Sequence, residues 1–285
     1  MKRTAIILAI LSFAVWAGAQ TSGQPAQPAP AAGAAATPAV KRPPQLKTKQ
    51  EQDAYNAVVA ITDSAAMEKA ADDFSTKFPD SEVRVLLYKT AMRNYQNANN
   101  AEKAEAAGRK VLAIDGDDPE ALVAVARVIA ERTQDSDIDK DQRYADAIAM
   151  AQKSTHTLDT DLSVPAGAPQ EKVDAYKAGV RSEAYSIIGT IDYKKEDYPA
   201  AQENLQKSID AYPSDPDPVV VLRLALSLDK QQKYPEALKL ASKAVDMTQA
   251  QATGVVGTAA RRERDRLQQL TGVAAPAQPQ TPPKN

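Results

Sequence analysis

The sequence predicts an all-α protein built from repeated helix pairs. From Ser182 to Asp215, small and apolar residues recur at intervals of three and four on both sides of a turn at Asp197–Pro199, which indicates two helices joined by a tight connection. A turn followed by an alanine-rich helix recurs elsewhere in the chain. Aromatic residues make up only 5% of the sequence, and abundant alanine suits helices that pack closely. A chain of 285 residues is long enough for such a repeat array.

The amino-terminal residues 1–19 are typical of a secretory signal peptide. Lys2 and Arg3 precede the apolar run 5–16, and Ala17-Gly18-Ala19 matches a cleavage site. We therefore expect export to the periplasm or secretion after cleavage near Ala19. A retained membrane anchor is the alternative, although the apolar run is shorter than the ~20 residues of a spanning helix. The chain has no cysteine, which excludes a lipoprotein, disulfides and thiolate chemistry.

Residues 20–49 are predicted to form a disordered Ala/Pro-rich linker, because this composition cannot bury enough apolar surface to become ordered. Four basic residues lie close together near its end: Lys41, Arg42, Lys47 and Lys49. They could contact an anionic membrane or cell-wall polymer, or they could simply be solvated. The Pro-rich residues 273–285 are predicted to be a disordered tail.

Between these ends, residues 50–272 are predicted to form the helical repeat domain. A recurring turn followed by an alanine, together with helix-ending prolines, divides it into five pairs. Taken in order, the predicted pairs are 50–61 with 64–77, 82–97 with 100–114, 119–133 with 142–156, 170–194 with 198–211, and 216–231 with 234–247. A last helix over 255–271 alternates arginine with acidic residues, which suits the polar face of a terminal cap or, alternatively, a basic docking helix.

The clearest pair carries Tyr185, Gly189, Ala201 and Pro213 in the order found in tetratricopeptide repeats, and it resembles that family. The resemblance implies a right-handed α-solenoid of about five antiparallel helix pairs with a carboxyl-terminal capping helix. It also implies non-catalytic protein binding. Residues 77–81 are similar to a turn of periplasmic and outer-membrane-assembly repeat proteins.

In the family, the first helix of each pair lines a concave groove through fixed positions. Carried onto this sequence, the resemblance implies a peptide or partner-helix groove that is basic early and apolar late: Lys89, Arg93, Gln96, Arg127, Ser186, Thr190, Tyr193, Leu222 and Leu226. The arginines would hold carboxylates and the leucines an aliphatic face. The alternative is that the late aliphatic residues pack under the last helix. Arg93 and Arg127 stand where a chaperone-binding clamp of the family requires asparagine.

The function predicted from the sequence is a protein-binding scaffold of the cell envelope, with a protein or peptide as partner. A formal net charge of −2 gives no indication of nucleic-acid binding. No catalytic, cofactor-binding or metal-binding motif is recognised, and the single histidine, His156, has no predicted second catalytic group. Two alternatives stay open: an accessory subunit of an envelope or cell-wall assembly machine whose basic linker contacts anionic polymer, and an enzyme with an unrecognised carboxylate site.

Overall fold

The structure, a computed structural model, describes residues 41–164, 167–249 and 254–272. The predicted signal peptide, the linker up to residue 40 and the tail 273–285 lie outside these residues. Eleven α-helices form within the described ranges: α1 Lys49–Val59, α2 Ser64–Lys77, α3 Arg84–Asn97, α4 Ala101–Ile114, α5 Pro119–Arg132, α6 Lys140–Thr157, α7 Gln170–Lys194, α8 Tyr198–Ala211, α9 Pro218–Lys230, α10 Tyr234–Met247 and α11 Val255–Thr271. Neighbouring helices pack against each other from α1 to α4 and from α8 to α11, and α7 packs against α8 at Gly189, so the all-α architecture of helix pairs and a last helix is confirmed.

Aspartate side chains begin several of the helices. Asp63 Oδ1 accepts a hydrogen bond from Ala66 N at 2.8 Å, and Asp197 Oδ1 accepts one from Ala200 N at 3.1 Å. Asp217 does the same for Val219 N at 2.7 Å, directly before Pro218 in the first turn. Each bond satisfies an amide that has no partner within its own helix.

The first helices of three pairs end in the same way. Asn99, Glu196 and Gln232 have φ values of 54°, 61° and 61°, in the left-handed region. At each of these helix ends, two backbone N–H groups donate hydrogen bonds to carbonyls of the last turn, as Gln232 N does to Asp229 O and Lys233 N to Leu228 O. This is the Schellman motif, and here it is formed without glycine. It turns the chain directly into the second helix of the pair.

Gly189 and Ala201 mark the close crossing of α7 and α8. A Cβ atom at Gly189 would lie 2.7 Å from Leu205 Cγ and 2.9 Å from Leu205 N, and Ala201 is fully buried. Any larger residue at either position would force the two helices apart. The predicted helix contact in the best-preserved repeat is therefore confirmed.

The chain divides into two compact units, which we call unit 1 (residues up to 128, with 153–180) and unit 2 (residues 129–152, with 181 onwards). Unit 1 has a core that includes Met67, Leu87, Met92 and Val111. Unit 2 has its own core, drawn from α8 to α11: Ala201, Leu205, Val221, Leu224, Ala241 and Leu267 are among its members. No helix within the described residues combines the length and apolarity that a membrane crossing needs.

The predicted linker ends earlier than residue 49. Arg42 donates to both carboxylate oxygens of Glu82 at 2.7 and 2.8 Å, and Lys41 Nζ lies 2.6 Å from Asp115 Oδ1. Lys47 Nζ donates to Asp80 O at 3.1 Å, while Leu46 packs against the core of unit 1. The prediction of disorder is wrong for residues 41–48, because complementary charges and one leucine fix this segment to unit 1. Three of the four basic residues proposed for membrane or wall contact are thus already engaged.

Candidate interaction surface

The predicted groove residues fall into two sets, one in each unit. The early set consists of Lys89, Arg93, Gln96 and Arg127 in unit 1. The late set consists of Ser186, Thr190, Tyr193, Leu222 and Leu226 in unit 2.

Lys89 does not lie on an open surface. Its side chain is 1% exposed, and Nζ donates to Asp118 Oδ2 at 2.7 Å and contacts Glu120. Arg93, beside it on α3, donates to the other oxygen of Glu120. Two cations and two carboxylates thus form a closed, charge-balanced cluster inside unit 1. The expectation that Arg93 holds a partner's carboxylate is wrong, because Arg93 already pairs with Glu120, and Lys89 is not exposed to a groove because it is buried against Asp118 and Glu120.

The pKa values in this cluster reflect burial and pairing together. Burial alone would raise the pKa of Glu120, but the charges of Arg93 and Lys89 outweigh it and bring that pKa to about 2. Burial raises the pKa of Asp118 despite the adjacent Lys89. The pKa of Lys89 is also raised, because Asp118 and Glu120 together outweigh the burial of its ammonium group. The cluster is therefore held together by its own charges.

The other two early residues are half-buried. Gln96 lies near the end of α3, and Arg127 lies on α5, where it interacts with other groups of the chain. Neither offers the strongly basic surface that the sequence suggested. Their part in a groove stays a prediction.

The late set forms a mixed surface in unit 2. Ser186, Thr190 and Tyr193 lie half-buried on α7, three or four residues apart, and Leu226 lies half-buried on α9. Leu222 is only 7% exposed and belongs to the same buried cluster as Ala260 and Leu267 of α11. Leu222 is therefore part of the core of unit 2 and does not lie on an open groove surface. The remaining four residues combine hydroxyl, aromatic and aliphatic groups.

Arg223 joins the two helices of this surface. Its Nη1 donates to Thr190 Oγ1 at 2.8 Å, which links the middle of α9 to α7. Within the described residues no carboxylate lies within ion-pairing distance of this guanidinium, although Asp217 and Glu131 are near enough to favour its charged form. Burial lowers the pKa of Arg223 more than these carboxylates raise it. Unlike Lys89 and Arg93, Arg223 therefore has no ion-pair partner among the residues that the structure describes.

Lys194 provides a second positive charge near Arg223. Its Nζ donates to Ala130 O at 2.6 Å and to Thr133 O at 3.3 Å, at the carboxyl-terminal end of α5. These carbonyls carry the partial negative charge of a helix end, which favours a cation there. The pKa of Lys194 is nevertheless lowered, first by burial and then by the charge of Arg223. Lys194 and Arg223 therefore lie near enough for their positive charges to repel each other.

The last helix closes one side of unit 2 through ion pairs. Arg266 reaches Asp229 on α9 and forms two hydrogen bonds to Glu263 on its own helix, at 2.9 and 3.0 Å. Arg264 pairs with Asp265. The alternating charges predicted for a cap thus neutralise one another, and α11 packs against both α9 and α10.

Sequence reasoning missed Arg223, although a signal was present. Residues 219–228 read VVVLRLALSL, in which one arginine interrupts an otherwise apolar helix. A lone charge at such a position points either to a buried ion pair or to a binding group. It does not fall on the groove positions that the resemblance supplied. In the part of the chain that the structure describes, no cluster of three or more His, Asp or Glu residues could hold a metal ion.

No family model matches the sequence, and no curated protein matches it either. Solved structures with a similar fold include the MamA protein, at 14% identity and a TM-score of 0.48, covering 72% of this chain and 94% of that one. PilW, a widely conserved type IV pilus biogenesis factor, is 15% identical with a TM-score of 0.47, covering 80% and 96%. TTC0263, a thermophilic TPR protein of Thermus thermophilus, is 12% identical with a TM-score of 0.42, covering 78% and 100%. These likenesses are distant, and the architecture stated above rests on the helices and their packing.

Proposed function

We propose that this protein is a non-catalytic scaffold of the bacterial cell envelope that binds a peptide or a partner helix on the α7/α9 surface of unit 2. One observation carries the proposal. Arg223 donates to Thr190, lies near Tyr193 and shares a helix face with Leu226, and no carboxylate among the described residues forms an ion pair with it. Aromatic and arginine side chains in half-buried positions are the groups that dominate the energy of protein interfaces.

The composition of the surface favours binding over catalysis. The Thr190 hydroxyl accepts a hydrogen bond from Arg223, which cannot act as a general base because its guanidinium stays protonated. Nucleophilic catalysis needs a hydroxyl or thiol beside a base that can remove its proton. The groups around Thr190 are suited to holding a ligand in place.

The signal-peptide pattern of residues 1–19 supports export, with cleavage near Ala19 and a site of action in the periplasm or outside the cell. Contact of the basic linker with membrane or wall polymer does not belong to this proposal, since Lys41, Arg42 and Lys47 already bond to groups of unit 1. The partner is expected to be a protein.

Site-specific photo-crosslinking tests the surface. A photoreactive phenylalanine analogue would replace Thr190 in the full chain, and the matched control would carry it at Gln206, an exposed position of α8 in the same unit. We expect a discrete crosslinked product in intact cells from position 190, and its loss when Tyr193→Ala and Leu226→Ala are added. Equal crosslinking from both positions, or none from position 190, would contradict the proposed surface.

Export is tested separately by fractionation and amino-terminal sequencing of the protein purified from cells. The proposal expects the chain outside the cytoplasm, beginning at Gln20. A cytoplasmic protein that still begins at Met1 would overturn the envelope part of the proposal and leave the binding surface to be judged by the crosslinking.

A further inference from the structure

The geometry points to Arg223 as a binding site for the carboxylate of an acidic side chain within an extended peptide that carries aliphatic residues on both sides of the acid. This inference rests on the proposed function and names the chemistry that the α7/α9 surface selects. It assigns the central role to a residue outside the predicted groove positions.

The first argument is the unmet charge of Arg223. Arg93 and Lys89 in unit 1 are buried beside Glu120 and Asp118, and Arg266 in unit 2 bonds to Glu263 and Asp229. Arg223 is half-buried on an apolar helix and has a single hydrogen bond, to Thr190. A desolvated cation is costly unless it meets an opposite charge. A ligand carboxylate would supply that charge.

The second argument is access. A guanidinium has five N–H donors, and Arg223 uses one of them on Thr190. Its Nε and Nη2 are not among the fully buried polar atoms without a partner, so both nitrogens keep some exposure to solvent. Arginine binds carboxylates through two parallel N–H···O bonds, for which two free donors on one edge suffice.

The third argument is the surface beside the guanidinium. Val219 lies four residues before Arg223 on α9 and Leu226 three residues after it, so all three share one face of the helix. Both aliphatic residues are half-buried, and Tyr193 of α7 lies near Arg223. Apolar surface therefore continues on both sides of the cation. An acidic residue inside a peptide is flanked by two residues, which can cover the apolar surface on both sides of Arg223. A carboxylate at the end of a peptide has a residue on only one side.

Selection from random peptides tests this inference without knowledge of the natural partner. The purified full chain would be offered bead-bound random hexapeptides whose termini are both blocked, so that Asp and Glu supply the only carboxylates. A second library would have free carboxyl termini. Arg223→Gln is the test variant, and Arg262→Gln, at an exposed position of α11, is the control with the same change of charge.

The expected result is enrichment of Asp or Glu flanked by Leu, Ile or Val in the blocked library. Replacing the selected acid by its amide should weaken binding about tenfold or more, as should Arg223→Gln, while Arg262→Gln should leave it unchanged. Enrichment confined to free carboxyl termini would overturn the choice of an internal acid. Circular dichroism of each variant establishes that it is folded.

Two further outcomes separate this inference from the proposed function. If the selected peptides show no preference for acids but lose binding in Tyr193→Ala, the surface binds peptides and the carboxylate site is wrong. If Arg223→Gln changes the oligomeric state measured by light scattering, the occupant is a second copy of the chain, and the peptide inference is overturned. If the wild type selects no peptide at all, both the inference and peptide binding at this surface fail.

Discussion

The replacement of Lys89 by methionine tests the closed charge cluster of unit 1 most directly. Methionine has nearly the volume of the lysine stem, so packing changes little, but the ammonium group that contacts Asp118 and Glu120 is lost. Arg93 then faces two carboxylates that are 2% and 5% exposed. Removing one partner from a buried ion cluster costs about 3–5 kcal/mol, because the remaining charges stay desolvated. We expect Lys89→Met to lower the free energy of unfolding by that amount.

The assay is urea denaturation followed by circular dichroism at neutral pH, with Lys69→Met as the matched control. Lys69 also pairs with an aspartate on a helix of unit 1, but its side chain is 77% exposed, so its loss should change the stability far less than the loss of Lys89. A double-mutant cycle with Glu120→Gln should show that the two changes together cost less than their sum. A loss below about 1 kcal/mol in Lys89→Met, or strict additivity in the cycle, would refute the reasoning.

The same cluster predicts a pH dependence. The folded pKa of Glu120, about 2, lies below its ordinary value of 4.5, so its contribution to stability is complete above pH 4.5 and is lost as the pH falls towards 2. The pKa of Asp118 is raised, so its contribution to stability changes with pH in the opposite direction and reduces the net pH dependence of the free energy of unfolding. In Lys89→Met the pKa of Glu120 should rise, and acid unfolding should begin at a higher pH.

Three further predictions use the same denaturation assay. Arg223→Met should raise the free energy of unfolding by about 1 kcal/mol, since it removes a desolvated cation without an ion-pair partner. If the free energy of unfolding instead falls by more than about 1 kcal/mol, interactions within the chain stabilise Arg223. Gln232→Gly should stabilise the folded protein by about 0.5–1 kcal/mol, because φ is 61° at this position and glycine adopts that conformation without strain. Gln231→Gly, where φ is −90°, should instead destabilise it. Changes of the same sign in both variants would contradict the left-handed assignment. Gly189→Ala should cost about 1–3 kcal/mol, since its Cβ would meet the backbone of Leu205, whereas Gly116→Ala should cost less than half as much.

The sequence was sufficient for the helices because their ends depend on local chemistry. Asp197 and Pro199 start α8, and Asp217 and Pro218 start α9, through hydrogen bonds and backbone angles that involve only neighbouring residues. The predicted limits of α2, α7, α8, α10 and α11 agree with the structure to the residue. The Gly189–Ala201 crossing was also predictable, because only small residues permit such close contact.

The interaction surface was predictable only in part, because the same helical spacing marks residues that face a partner and residues that face the chain itself. Lys89 follows the spacing of a groove residue, yet its counter-charges, Asp118 and Glu120, lie about thirty residues further along, at the start of another helix. No local sequence pattern indicates that Lys89 contacts these two carboxylates. Arg223 was missed for the opposite reason, since it lies outside the expected positions while its charge stays uncompensated.

The attachment of residues 41–48 to unit 1 has a practical consequence for where the chain can be held. The amide of Lys41 donates to Thr160 O at 2.7 Å, and its ammonium group lies 2.6 Å from Asp115, so this residue has a fixed place and direction on the folded surface. Whatever is joined at that point, whether a surface, a fluorophore or another protein, therefore leaves unit 1 from a defined spot. The protein can therefore be immobilised in a defined orientation through its amino-terminal side. High salt weakens these exposed ion pairs and would allow unit 1 to rotate about the attachment point.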